Sequence, residues 1–339
     1  VNATPKSMKK TILSGMRKAL LELGSATKVE LSDKLEISFP TISKFLAQME
    51  KDGEVISVGL DESSGGRRAK RYSYNPEYML GLAIFLEREE THYIIYNCVG
   101  EVKEQGKAPS LLIDNGINEL TTYIEKWMLS YPKISSIAIG VPGSVENGRI
   151  FYMPGYEHFQ DFDLKGYLEN RFSVPVVIEN DMNAAVFGYH HGMGNNNNKS
   201  LVYLYSGQNS PGAGIMVNGH VVRGSTNFSG EVSFVPQYDE RNFGQALESE
   251  NEPFKLYKDN TVDAFSRLIA SFVAIINPHT IIFCNDEVDK ATLDKMALGC
   301  SKYIPSEQLP ELIISDWKQD YLYGLQRLGI DLMMNGTNV

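Results

Sequence analysis

The sequence predicts a mixed α/β protein: a small three-helix head ending in a hairpin, then a larger two-lobed α/β body. Three observations predict this. The head is basic and the body acidic, helical apolar spacing recurs three times within residues 1–52, and strand-like and helical stretches alternate from about residue 77 onward. At 339 residues, 42% of them hydrophobic, the chain is long enough for two or three units of about 150 residues. Residues 1–75 hold 13 Lys and Arg against 9 Asp and Glu, which leaves 19 basic and 33 acidic residues for the rest. A positive head on a negative body is the charge pattern of a nucleic-acid module joined to a domain with a different task.

In the first helix Ile12, Met16, Leu20 and Leu23 recur near helical period, and Gly24 stops the run. Thr27 offers an N-cap and Glu30 completes a capping box for a short second helix carrying Leu31 and Leu35. A third helix is expected from Ser38, with Pro40 tolerated in its first turn. Its stripe of Ile42, Phe45, Leu46 and Met49 faces the other two helices, so Thr41, Ser43, Lys44 and Gln48 are expected to point outward. This is a helix-turn-helix layout, whose last helix enters a major groove of double-stranded DNA. Residues 54–58 and 71–74 then read as strands of a hairpin whose tip carries Gly65, Gly66, Arg67 and Arg68. Glycines let a backbone come close to DNA, and paired arginines suit phosphates or a narrow minor groove. The head is thus expected to be a winged helix-turn-helix, with Ser38, Thr41, Ser43, Lys44, Gln48, Arg67 and Arg68 as its DNA-binding residues.

In the body, residues 82–86 and 91–98 read as paired strands, 117–130 as an amphipathic helix, and 135–143 as a buried strand running into a loop. Helix 164–172, strand 174–179 and helix 182–189 continue the rhythm. An Asn-rich run near 195–198 marks an expected passage between lobes. Strand 201–205, hairpin 215–222, helix 263–276 and strand 280–284 make a second set, so sheets flanked by helices are expected. Apolar runs stay far below the ~18 residues that cross a bilayer, and no secretory leader pattern opens the sequence. Cys98, Cys284 and Cys300 are odd in number and far apart, which fits no disulfide framework and suits a reducing cytoplasm.

In these residues the chain resembles transcriptional repressors of the ROK family, a group of repressors and sugar kinases. The likeness rests on the winged head with Gly65-Gly66-Arg67, on Gly140-Val141-Pro142-Gly143, and on Asn180-Asp181-Met182-Asn183-Ala184-Ala185. Gly212-Ala213-Gly214-Ile215, Asn218-Gly219, Arg223-Gly224, Gly230-Glu231, Asn277-Pro278 and a late helix near Gly324 follow in the family's order. The resemblance implies an actin-like (ribonuclease H-like) body over residues 76–339, behind a DNA-binding domain at 1–75. Its two lobes would meet near 190–200, and it would hold a sugar between them. It also implies a homodimer, or a dimer of dimers.

The sequence departs from the family's kinases at each nucleotide contact. Phe85-Leu86-Glu87-Arg88-Glu89 stands where a glycine-rich phosphate loop is expected, and it brings acids where phosphate needs free N–H groups. Gln208-Asn209-Ser210-Pro211 interrupts the second loop, and Cys284-Asn285 replaces a Gly-Gly pair. The family's zinc motif also fails. Phe234 stands in place of its histidine, residues 238–244 contain no cysteine, and His190-His191 read as surface residues. No cofactor, metal or catalytic residue is therefore expected.

By resemblance, Asn180 and Asp181 would contact sugar hydroxyls, as would Glu231 and Glu248, while Gly155 replaces a sugar-binding Asn. Asn180 and Asp181 could equally serve only as the cap of the following helix. The expected function is a DNA-binding regulator, a repressor, that responds to a sugar or other small polar effector and binds operator DNA. The alternatives are a sugar kinase with an accessory head, and a repressor that needs no effector.

Overall fold

The computed structural model describes residues 4–61, 68–112, 116–153, 155–194, 198–207, 210–237, 240–248 and 259–335. Arg67 and the glycines of the hairpin tip, the Asn-rich run at 195–197, and residues 208–209 and 238–239 lie outside the described residues.

The head consists of α1 (Pro5–Leu23), β1 (Ala26–Thr27), α2 (Lys28–Leu35), α3 (Phe39–Lys51), β2 (Val55–Leu60) and β3 (Lys70–Tyr74). Thr27 accepts from the Glu30 N–H while Glu30 accepts from the Thr27 N–H, so the capping box forms as the sequence reads. Ile12, Met16, Leu20, Leu31, Ile42, Leu46 and Met49 are buried, whereas Leu23 is exposed at the end of α1. The sequence did not reveal β1, because two residues read as a cap leave no strand periodicity. It pairs antiparallel with β3 and makes a three-stranded sheet of order β1-β3-β2. Buried Glu54 accepts from Tyr74 and pairs with Arg17, which ties the hairpin to α1.

The body holds two five-stranded sheets. The first is built from β4 (Leu80–Leu86), β5 (Glu90–Asn97), β6 (Val102–Pro109), β7 (Ile134–Val141) and β11 (Val176–Asn180). Between these strands run α4 (Gly116–Ser130), β8 (Ser144–Glu146), β9 (Arg149–Tyr152), β10 (Phe162–Asp163) and α5 (Leu164–Phe172), with α6 (Asp181–Gly192) following β11. The second contains β12 (Leu201–Tyr205), β13 (Gly212–Val217), β14 (His220–Val221), β15 (Thr280–Cys284) and β16 (Glu311–Ser315). Its helices are α7 (Phe243–Leu247), α8 (Asp259–Ile276), α9 (Lys290–Cys300) and α10 (Trp317–Asn335).

Strand orders are β11-β7-β4-β5-β6 and β14-β13-β12-β15-β16. Each sheet is a three-stranded antiparallel meander whose first strand is joined by two parallel strands, so the body is a duplicated, actin-like fold. The duplication is one of topology. The two halves share no short sequence repeat, which is why only the alternation of elements was legible.

Helices α4 and α5 cover the outer face of the first sheet, through Leu120, Ile124, Leu164 and Leu168 against Leu82, Ile84 and Ile137. The outer face of the second sheet packs on α7, α8 and α9. Between the sheets lie α6 and α10, joined to Phe85, Ala138, Tyr203, Met216 and Ile282 in one apolar cluster that also includes the head core. The α6–α10 crossing is very close. A Cβ on Gly188 would lie 1.9 Å from the Asp320 carbonyl oxygen, and one on Gly324 would lie 2.0 Å from that of Ala184. Helix α10 ends beside the head, where the Ser14 hydroxyl donates to Asn335 Oδ1 at 3.3 Å.

Candidate functional site

A cleft opens where strands of both sheets end. Its walls include Gly143 and Ser144 after β7, Asn180 to Asn183 at the start of α6, Tyr205 at the end of β12, Gly212 and Ala213 of β13, and the Gly230-Glu231 turn. Ligands of α/β sheets collect at such strand ends. Gly230 has φ +98°, and a Cβ there would lie 2.1 Å from the Ala213 carbonyl oxygen, so only glycine lets this turn close on β13.

Asn180 is the N-cap of α6. It accepts from the Asn183 N–H at 3.0 Å, and its Nδ2 donates to the Gly143 carbonyl at 3.0 Å. Asp181 is buried at 7% exposure, and its Oδ1 accepts from the Met182 N–H at 2.7 Å. Burial above all, with Glu87 and Glu231 nearby, pushes its carboxyl up to about 8, so it holds its proton at neutral pH and can donate as well as accept. Glu231 accepts from the Ser144 hydroxyl at 2.7 Å, which bridges the two sides of the cleft, and burial raises it too.

Asn183 is the residue that sequence reasoning missed. It lies inside the Asn180–Ala185 motif, one helical turn after Asn180, where its spacing reads simply as part of the helix. Its Nδ2 donates to Glu179 at 3.3 Å, which fixes the amide's orientation, and its Oδ1 is buried without a hydrogen-bond partner. Ser144 at the start of β8, Tyr152 at the end of β9, and Asn227 and Ser229 before the Gly230 turn line the cleft as well, from segments too short to carry a periodic signal. Glu248 corrects an expectation. It stands exposed just after α7, whose own capping box (Asn242 with Gln245) sets the turn, and it is not among the cleft-lining residues. Gly155 is likewise exposed and outside that lining. His190 corrects another, being buried on α6 rather than at the surface, with a lowered pKa from burial and from His191. Phe234 is half exposed and packs on Phe228, and no group of three His, Cys, Asp or Glu among the described residues is placed to hold a metal ion.

In the head, Lys44 and Gln48 are exposed on α3, with Gln48 donating to the Asp52 carboxylate at 2.8 Å. Ser38 begins the helix and its hydroxyl lies 2.9 Å from that of Thr41. Ser43 departs from the expected outward face: its hydroxyl is buried and unpartnered, turned toward the helix packing. Arg68 is exposed on the hairpin. No helix among the described residues is long and apolar enough to cross a membrane.

Residues 84–245 match the ROK family model. A putative xylose repressor from a Caldicellulosiruptor species is 31% identical over 224 residues, covering 63% of this chain and 56% of that protein. The xylose repressor of Bacillus spizizenii is 27% identical over 63% of this chain and 57% of its own length. The Escherichia coli DNA-binding transcriptional repressor Mlc is 24% identical over 65% and 56%. The chain thus matches a little over half the length of each of these curated relatives. A ROK family transcriptional regulator of known structure, described as a homologue of Escherichia coli Mlc, superposes with TM-score 0.72 at 20% identity over 96% of this chain and 98% of that one. ROK hexokinase from Thermus thermophilus gives 0.60 at 18% identity over 73% and 97%. At these identities the structural likenesses establish the fold: two actin-like lobes, with the regulator's match extending through the head. Over residues 84–245, this chain is thus similar to the ROK family.

Proposed function

We propose that the protein is a DNA-binding transcriptional repressor whose kinase-like body senses a sugar or similar polar effector and transfers no phosphate. One observation carries the effector half. Asn183 Oδ1 is a buried acceptor without a partner, near the buried Asp181 carboxyl, in the wall of a cleft between two lobes. An orphaned buried acceptor costs about 1–3 kcal/mol, which a ligand hydroxyl would recover. The relatives named as repressors, two of them for xylose, support the class of protein and the class of effector. The acidic turn after β4 supports a body without kinase activity, since phosphoryl transfer needs its phosphate cradle as well as a base.

In this reading residues 1–75 bind operator DNA and 76–339 bind effector and dimerise, in the cytoplasm. Asp181 opens α6, α6 crosses α10 at the two glycines, and α10 ends on α1. Effector binding that favours one lobe arrangement would therefore shift how the two heads of a dimer are spaced. Asp181→Ala is expected to abolish the effector response in an operator-binding assay while leaving effector-free DNA binding unchanged. A normal response from this variant, or ATP-dependent phosphorylation of a hexose by the parent, overturns the reading. A thermal-shift screen of sugars identifies the effector, because a ligand that binds only the folded state raises its melting temperature.

For the DNA half, Ser38 at the N-cap of α3 and Thr41, Lys44 and Gln48 within it would face the major groove, with Arg67 and Arg68 on backbone or minor groove. Lys44→Ala is expected to weaken operator binding. An Arg67→Ala/Arg68→Ala double variant should bind less tightly and flatten the log–log salt dependence by about one to two units. An unchanged salt slope would remove the hairpin from the interface.

A further inference from the structure

The C-terminal end of β12 carries a cradle of donors. The Ser206 N–H lies 3.1 and 3.0 Å from the two carboxylate oxygens of Glu287, the Ser206 hydroxyl donates to Glu287 Oε2 at 2.8 Å, and the Gly207 N–H stabilises the same carboxylate. Successive backbone N–H groups with a hydroxyl at a strand end form a nest for an anion such as phosphate. Here the accepting oxygens are supplied by the chain itself, from Glu287. Glu287 follows β15, the strand hydrogen-bonded beside β12, on a turn closed by N–H groups of Glu287 and Val288 on the Cys284 carbonyl, both at 3.2 Å. The next side chain, Asp286, is held by Trp317 Nε1 at 3.1 Å. The carboxylate is thus presented by an ordered turn.

The surroundings are rich in carboxyl groups and offer an anion no cationic partner among the described residues of the cleft wall. Tyr205, in the cleft wall, has Glu87, Glu287 and Asp181 within electrostatic reach. Glu87 has Lys318, Asp286 and Glu89 within electrostatic reach. Among the described cleft-lining residues there is no Lys, Arg or His.

We propose that the Glu287 carboxyl group fills the seat a ligand phosphate would take, and that it bars phosphorylated or otherwise anionic ligands from this side of the cleft. An incoming phosphate would have to displace Glu287 from three donors and leave that carboxylate among other acids, whereas a neutral hydroxyl makes no such demand. The seat stands on the hydrogen bonds alone, and only the word ligand rests on the effector reading above.

The test uses the full chain and inorganic pyrophosphate, followed by calorimetric titration and by melting temperature. The parent is expected to show no binding, Glu287→Ala a gain of at least tenfold in affinity with a higher melting temperature in pyrophosphate, and Glu287→Gln a smaller gain. Pyrophosphate binding by the parent as tight as by the variants overturns the proposal, and so does a cooperatively melting Glu287→Ala that binds no better than the parent. Should Glu287→Ala fail to fold, the near-isosteric Glu287→Gln decides by the same criterion. A chain that answers to no sugar yet gains pyrophosphate binding on loss of Glu287 loses the effector reading and keeps this one.

Discussion

Gly324→Ala and Gly188→Ala are each expected to destabilise the body by about 3 kcal/mol or more, at the upper end of what overpacking costs. Helix propensity alone argues the other way, since replacing a mid-helix glycine by alanine normally gains about 0.5–1 kcal/mol. Packing reverses the sign. Both added methyls would sit within 2.0 Å of a backbone oxygen of the facing helix, and a backbone atom cannot swing aside as a side chain can. The helices would have to part along a crossing that holds the inner apolar cluster together. Urea or thermal unfolding measures the loss, at roughly 2–4 °C per kcal/mol. Gly192→Ala is the control: a Cβ there meets Tyr323 at an ordinary 3.7 Å, so stability should hold or rise slightly. A Gly324→Ala protein as stable as its parent would disprove so close a crossing.

Melting temperature is expected to fall as pH rises from 6.5 to 8.5. Burial holds Asp181 near 8 and Glu87 and Glu287 near 7, and it raises Glu231 and Asp320 as well. In the unfolded chain these groups titrate near 4, so over this window the unfolded state binds fewer protons than the native one, and stability drops as pH increases. The drop levels off once the pH passes the folded value of each group. His92 and His190 are lowered by burial and act in the opposite direction below about 6.5, which is why the window starts there. Asp181→Asn removes the largest of these shifts and should flatten the slope. A slope identical to the parent's would mean that the Asp181 carboxyl is already ionised in the fold.

Local chemistry made the head legible. Thr27 and Glu30 three residues apart, and a stripe of Ile42, Phe45, Leu46 and Met49, specify elements without knowledge of distant residues. Strands 201–205 and 280–284 were legible for the same reason, being short apolar runs bounded by polar ones. Strands β6 and β16 were not, because β6 is largely polar and exposed along one edge and β16 is only half buried. The site was legible in its motifs but not in its partners. Asn180 and Asp181 announce a helix start whether or not a ligand binds. The unpartnered oxygen of Asn183, the bridge from Ser144 to Glu231 and the seat filled by Glu287 all depend on strands distant in sequence being brought side by side.

The return of α10 to the first sheet bears on how the protein is made. Residues 317–335 cover Phe85, Tyr96 and Ala138, and the Gly329 carbonyl accepts from buried Ser136. During synthesis, the inner face of a sheet begun at residue 80 stays uncovered until more than two hundred further residues have been added. Domains otherwise tend to fold as they emerge, N-terminal first. Here the first lobe must wait as a half-covered sheet, with its apolar face open to chaperones or to neighbouring chains, until α10 packs against both lobes and the head.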